Sequence, residues 1–85
     1  FRSAADELLS IRGVNASFVL FPAGGVVNIS ARSLGDVNVQ LIMEALGGGG
    51  HLTMAGAQLR GVTVEEATKQ LIAAIQKTVQ NSRKS

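Results

Sequence analysis

The sequence predicts an α/β domain: a small mixed sheet of at least three strands, in the order α-β-β-α-β-α, with helices packed on it. Three observations carry that prediction. Residues 26–32 alternate, with Val27, Ile29 and Ala31 on one face and Asn28, Ser30 and Arg32 on the other, which is the period of a half-buried strand. Val39, Ile42, Met43 and Leu46 recur at helical spacing. Thr63-Val64-Glu65-Glu66 has the form of a capping box, ahead of Val64, Ala67, Leu71, Ala74 and Ile75 on one helical face.

Taken in chain order, Ser3 is the expected N-cap of a first helix carrying Ala4, Ala5, Leu8 and Leu9. Asp6 and Glu7 stand in its favourable first turn and Gly13 closes it. Ser17-Phe18-Val19-Leu20-Phe21 is apolar on both alternating faces, which predicts a central strand covered above and below. Pro22 cannot donate to a ladder and Gly24-Gly25 supplies a reversal, so a hairpin leads into residues 26–32. Asp36 or Asn38 caps the second helix, and Ala55-Gly56-Ala57-Gln58-Leu59 reads as a third, short strand. Gly61 turns the chain into the last helix, and the tail beyond Val79 is polar. The strand-helix-strand unit over residues 26–59 predicts a right-handed crossover with parallel strands. Phe18 and Phe21 are expected in the core, and Met43 and Met54 as gap fillers.

Composition bounds the function. The 85 residues are 46% hydrophobic, enough for one small domain with a buried core. No cysteine is present, which excludes a disulfide framework and a thiolate zinc site and fits a reducing, cytoplasmic setting. The longest apolar region, residues 16–29, is too short to span a membrane and is broken by Pro22 and Gly24-Gly25. A net charge of +2, without Tyr or Trp, gives no nucleic-acid signal and no base-stacking platform.

The chemistry gathers around Gly47-Gly48-Gly49-Gly50-His51, which directly follows Leu46. One glycine stops a helix; four offer a bare surface of backbone N–H groups that can cradle a phosphate, with His51 as a directed donor. Arg32 and Ser33 lie at the carboxyl end of their strand, where ligands of open α/β sheets gather. A helix C-terminus repels an anion. The glycines must therefore supply turned-back N–H groups, and the bidentate guanidinium of Arg32 must outweigh the dipole; Arg60 is a second choice. Taken singly, a surface histidine and a solvated arginine are the commoner readings and a plain connector is an even one; the three falling together bring the functional reading level with the bland one. Asn28, Ser30, Asp36 and Gln58 read as structural. Without a Walker lysine after the glycines, or a strand leading into GxGxxG, the P-loop and Rossmann readings fail. The scattered acids and one histidine form no metal cluster and no nucleophile has a partner base, so this chain alone is expected to catalyse nothing.

Ser30-Ala31-Arg32-Ser33, the helix from Asn38, Gly47-Gly48-Gly49-Gly50-His51 and Ala55-Gly56-Ala57 together resemble the DHHA1 domain, the substrate-binding half of DHH-family phosphoesterases. Ala16-Ser17-Phe18-Val19-Leu20, Ile29-Ser30-Ala31-Arg32-Ser33-Leu34-Gly35 and residues 38–46 look most like the membrane-anchored cyclic-di-AMP phosphodiesterases. The similarity runs from about Ala4 to Ile75. It implies that the whole chain, residues 1–85, is a C-terminal fragment whose DHH catalytic domain lies upstream in cis and holds manganese. Arg32 and Ser33 would bind phosphate, Gly48, Gly49 and Gly50 would make close backbone contact, and His51 would hydrogen-bond the substrate near the scissile bond. The implied reaction opens cyclic di-AMP to pApA on the cytoplasmic side of a membrane that this fragment itself does not touch. A short-oligonucleotide exonuclease of the nanoRNase type and a non-catalytic RNA-binding or dimerisation module are the alternatives. Met54 departs from the family, which more often has Ala or Asn there. The family domain also carries a strand before the first element expected here, so an unpaired edge would invite a homodimer.

Overall fold

The computed structural model describes residues 7–11, 15–35 and 37–84, with the backbone alone described at 7–11 and 81–84. The chain runs β1 (Glu7–Ile11), β2 (Ala16–Ala23), β3 (Val26–Ser33), α1 (Val39–Ala45), β4 (Gly49–Gly50), β5 (Met54–Arg60) and α2 (Val64–Lys84). The strands form one sheet in the order β1-β2-β3-β5-β4 with every neighbouring pair antiparallel. The α/β class, with helices packed on a sheet, is as expected.

The first element is not. Glu7–Ile11, expected within a helix, is a strand paired with Ala16–Leu20 of β2. A helix of so few residues is marginal in water, whereas pairing satisfies the backbone groups of β2 along its edge. A strand therefore does precede the β2–β3 hairpin, in the place where a helix was expected. Ser3, Ala4, Ala5, Asp6, Gly13 and Asp36 lie outside the described residues.

The second correction is direction. β5 pairs with β3 antiparallel, Arg32 opposite Met54 and Val26 opposite Arg60, rather than through a parallel crossover. Lengths explain it. Seven helical residues advance the chain by only ~11 Å, against ~27 Å for the eight residues of β3. Helix α1 is too short to return the chain to the start of β3, so β5 begins beside the point where β3 ends.

Phe18 and Leu20 of β2 stand directly opposite Ala31 and Ile29 of β3, and Ile29 opposite Ala57 of β5; all five are buried, so they share one face. Ile42 and Met43 of α1 and Ala67 and Leu71 of α2 close over that face. Among the described residues no helix covers the other face. Val19 there is 37% exposed and Phe21 half-buried, which corrects the expectation that β2 is covered above and below. The hairpin turns on Gly24 and Gly25 as expected, and Pro22 opposes Val27 in a pair that exchanges no hydrogen bond, so its missing donor costs β3 nothing.

Helix starts are built as read. Asn38 caps α1, its Oδ1 accepting from Leu41 N–H at 3.3 Å. Thr63 N–H donates to Glu66 Oε1 at 2.9 Å and Glu66 N–H to Thr63 Oγ1 at 3.0 Å, a closed capping box. Hydrogen bonding to the carboxyl from the Thr63 backbone N–H first and the Thr63 side chain second, with nearby Lys69, holds Glu66 below its usual range. A lowered folded value means that the stabilisation is complete above the unfolded carboxyl value and is lost as pH falls through the folded one. Thr63→Ala removes the N-cap acceptor for Glu66 N–H and is expected to cost about 1 kcal/mol, the usual loss for such a cap. Thermal melts should show the gap between Glu66→Gln and the parent closing in acid.

Candidate functional site

β3 delivers Arg32 and Ser33 to one end of the sheet, and β5 begins at the same end with Met54 opposite Arg32. The segment between β4 and β5 is a tight hairpin: His51 N–H donates to Met54 O at 2.7 Å, with Leu52 and Thr53 at the tip. That tip is tied down from two sides. Ser33 N–H donates to Thr53 O at 3.0 Å and Val39 N–H, at the start of α1, to Leu52 O at 3.1 Å. Arg32, Met54 and His51 consequently form a row across the sheet, its ends two strand spacings or ~10 Å apart. Paired residues point to the same face, and Arg32 belongs to the helix-free one. The fold therefore brings together Arg32, Ser33, the glycine run and His51. Arg60, the second candidate, stands at the far end of β5 opposite Val26 and is not part of this site.

The four glycines have separate duties. Gly47, at φ +87°, follows the helix C-cap Leu46; its N–H donates to Glu44 O at 3.0 Å, and Gly48 N–H donates to Met43 O at 2.8 Å. This is a Schellman end. The turned-back N–H groups expected to face an anion thus neutralise the last carbonyls of α1 instead. A Cβ on Gly48 would strike Gly56 O and lie 2.7 Å from Ala57 Cα. One on Gly50, at φ +148°, would strike Ala55. Gly49 differs: a Cβ there meets nothing within 4 Å, and it sits opposite Gly56. Since 51 and 54 are a hydrogen-bonded pair, the alternation of an antiparallel ladder directs Gly50 N–H to the open edge of the sheet.

Ser33 is half-buried, and its hydroxyl donates to Val37 O at 2.7 Å while accepting Gly35 N–H at 2.8 Å. It folds the loop that connects Arg32 to α1. Arg32 is exposed and has no hydrogen-bond or ion-pair partner among the described residues. His51 is exposed beside the bare edge. The arrangement is a guanidinium with all its donors available, an outward N–H and an imidazole, around backbone that carries no side chain. Such a set of donors is suited to an anion. Among the described residues no three His, Cys, Asp or Glu side chains stand together as metal ligands.

Sequence reasoning missed the apolar rim. Leu34, Leu52 and Met54, at this same end, are 83%, 47% and 52% exposed. Met54, expected to fill a gap in packing, lies on the open face. The missed signal was local: Leu34 and Leu52 belong to no periodic stripe, which is the pattern of apolar groups left over for contact with another body.

Residues 1–81 match the family model described as the DHHA1 domain. The cyclic-di-AMP phosphodiesterase GdpP of Geobacillus thermodenitrificans is 68% identical over 72 residues, covering 84% of this chain and 11% of that protein. The cyclic-di-AMP phosphodiesterase PdeA of Listeria monocytogenes is 60% identical over 73 residues, 85% of this chain and 11% of that protein. The bifunctional oligoribonuclease and PAP phosphatase NrnA of Thermus thermophilus is 43% identical over 49 residues, 58% of this chain and 15% of that protein. The chain thus spans about a tenth of the length of the phosphodiesterases it matches.

Proposed function

Because this chain belongs to the DHHA1 domain family, we propose that it is the substrate-binding domain of a phosphodiesterase that hydrolyses cyclic di-AMP to pApA. The observation that carries the proposal is Arg32: unpartnered among the described residues, it shares one sheet face and one row with His51 beside an open Gly49. The relatives named for this activity, at 60% and 68% identity, supply the substrate class.

In this reading Arg32 grips a non-bridging phosphate oxygen pair, and His51, in the same row, hydrogen-bonds the substrate near the scissile bond. Gly49 lets the substrate approach the backbone. Gly48 and Ser33 hold the frame, through the α1 end and the 33–37 turn respectively. Hydrolysis itself needs metal-activated water, supplied when manganese is bound by a DHH domain outside this chain. The apolar rim of Leu34, Leu52 and Met54 is the surface on which that domain closes. No helix among the described residues is long and apolar enough to cross a membrane; the anchor of the full-length protein lies elsewhere, with this domain on its cytoplasmic side.

Gly49→Val in the full-length protein tests the reading. Stability should change by no more than about 0.5 kcal/mol, as for an open surface position. The kcat/KM for cyclic di-AMP should fall at least about tenfold, because the isopropyl group occupies the approach path. Matched losses of melting temperature and activity would return the glycine run to the role of connector. The similarity to NrnA favours a second reading, a short-oligonucleotide exonuclease. It predicts that diribonucleotides and short RNA are turned over faster than cyclic di-AMP by the same preparation.

A further inference from the structure

The helix-free face continues beyond the anion end in an ordered set of rows. Next to Arg32, Met54 and His51 comes the row Ser30, Gly56 and Gly49, which across β3, β5 and β4 holds nothing larger than a hydroxymethyl group and is bounded on β2 by Val19. One row further lie Asn28 and Gln58, directly opposite each other on β3 and β5, with Phe21 of β2 alongside Asn28. Gln58 Nε2 donates to Asn28 Oδ1 at 3.0 Å. That bond locks two amides together while leaving each with polar atoms to offer. Asn28 Nδ2, Gln58 Oε1 and the second N–H of Gln58 Nε2 have no partner among the described residues, so the bond fixes a Gln58 amide that still offers a donor and an acceptor on one planar group.

A donor and an acceptor side by side are the complement of a purine edge. Adenine offers N7 as acceptor and its N6 amino group as donor, which is why Asn and Gln amides read it. The row between is a flat floor on which an aromatic base can lie, and Phe21, half-buried, adds an apolar neighbour. Asn28 and Arg32 are four strand residues apart, ~13 Å, which separates a base-reading end from a phosphate-binding end on one surface. We propose that the Asn28–Gln58 amide pair reads the adenine base of the substrate, leaving the glycine–histidine loop to bind phosphate without regard to the base. This inference rests on the dinucleotide reading above. It gives a specificity role to two residues that would otherwise be ordinary cross-strand neighbours.

The test uses the full-length protein, with cyclic di-AMP and cyclic di-GMP as the two substrates, since guanine carries an oxo group where adenine carries the amine. The parent protein should prefer cyclic di-AMP. Gln58→Leu should lower the ratio of the two kcat/KM values about tenfold, the larger fall being in turnover of cyclic di-AMP. Asn28→Ser, which keeps a polar group at its half-buried position, should give the same loss of preference and stands in should Gln58→Leu depress the melting temperature. An unchanged ratio in active variants, or an equal fall for both substrates, overturns the base-reading assignment and leaves the phosphate site standing. A parent protein that turns over neither cyclic dinucleotide overturns the dinucleotide reading and this assignment with it.

Discussion

Gly48→Ala is expected to destabilise the domain by about 3 kcal/mol, the upper end for forcing atoms into a packed site. The methyl group would strike Gly56 O and lie 2.7 Å from Ala57 Cα, and both obstacles are backbone of a paired strand that cannot swing aside. A domain of 85 residues has roughly 4–13 kcal/mol in total, so the change removes a large fraction of it and should lower the melting temperature by roughly 12–24 °C. Gly49→Ala, one residue away, should leave the melt unmoved, since its Cβ meets nothing within 4 Å. Calorimetric or circular-dichroism melts of the two variants settle the matter. Equal melting temperatures would mean that β4 does not lie against β5 as described, and the frame of the site would have to be redrawn.

Arg32→Ala, by contrast, should leave the melt alone and damage binding. The side chain is exposed and has no partner among the described residues, so folding loses nothing when it is removed. A hydrogen bond to a charged group contributes about 1.5–3 kcal/mol, which corresponds to a roughly 10- to 150-fold weaker affinity for pApA or cyclic di-AMP in the full-length protein. Arg32→Lys keeps the charge but not the two-pronged geometry, and should fall between the two. Titration calorimetry reads both variants; affinity unchanged in Arg32→Ala would remove this residue from the site.

Much of this was legible in the sequence because it rests on local rules. Asn38, the Thr63–Glu66 box, the Gly24-Gly25 turn and the alternation over β3 each follow from interactions within a few residues, and each stands where the sequence places it. What failed was long-range. Nothing within Glu7–Ile11 says that the edge of β2 lies beside it, and pairing overrides a weak helical preference. The direction of β5 depended on comparing the reach of α1 with the length of β3, a comparison that periodicity alone does not prompt. The glycine run was legible as unusual but not in its division of labour. Only packing separates Gly47, which ends a helix, and Gly48 and Gly50, which lie against β5, from Gly49, which is open. The Asn28–Gln58 pair reads as structural in the sequence for a related reason: its partners are 30 residues apart, and their meeting depends on the antiparallel register.

The most direct measurement is a crystal structure of the full-length protein with a phosphorothioate analogue of cyclic di-AMP. The expected result is one phosphate held by the Arg32 guanidinium, with His51 in contact with the substrate and the nucleotide lying over Gly49 on the helix-free face. An analogue seated elsewhere in the protein, with Arg32 and the 49–51 edge still open to solvent, would contradict it.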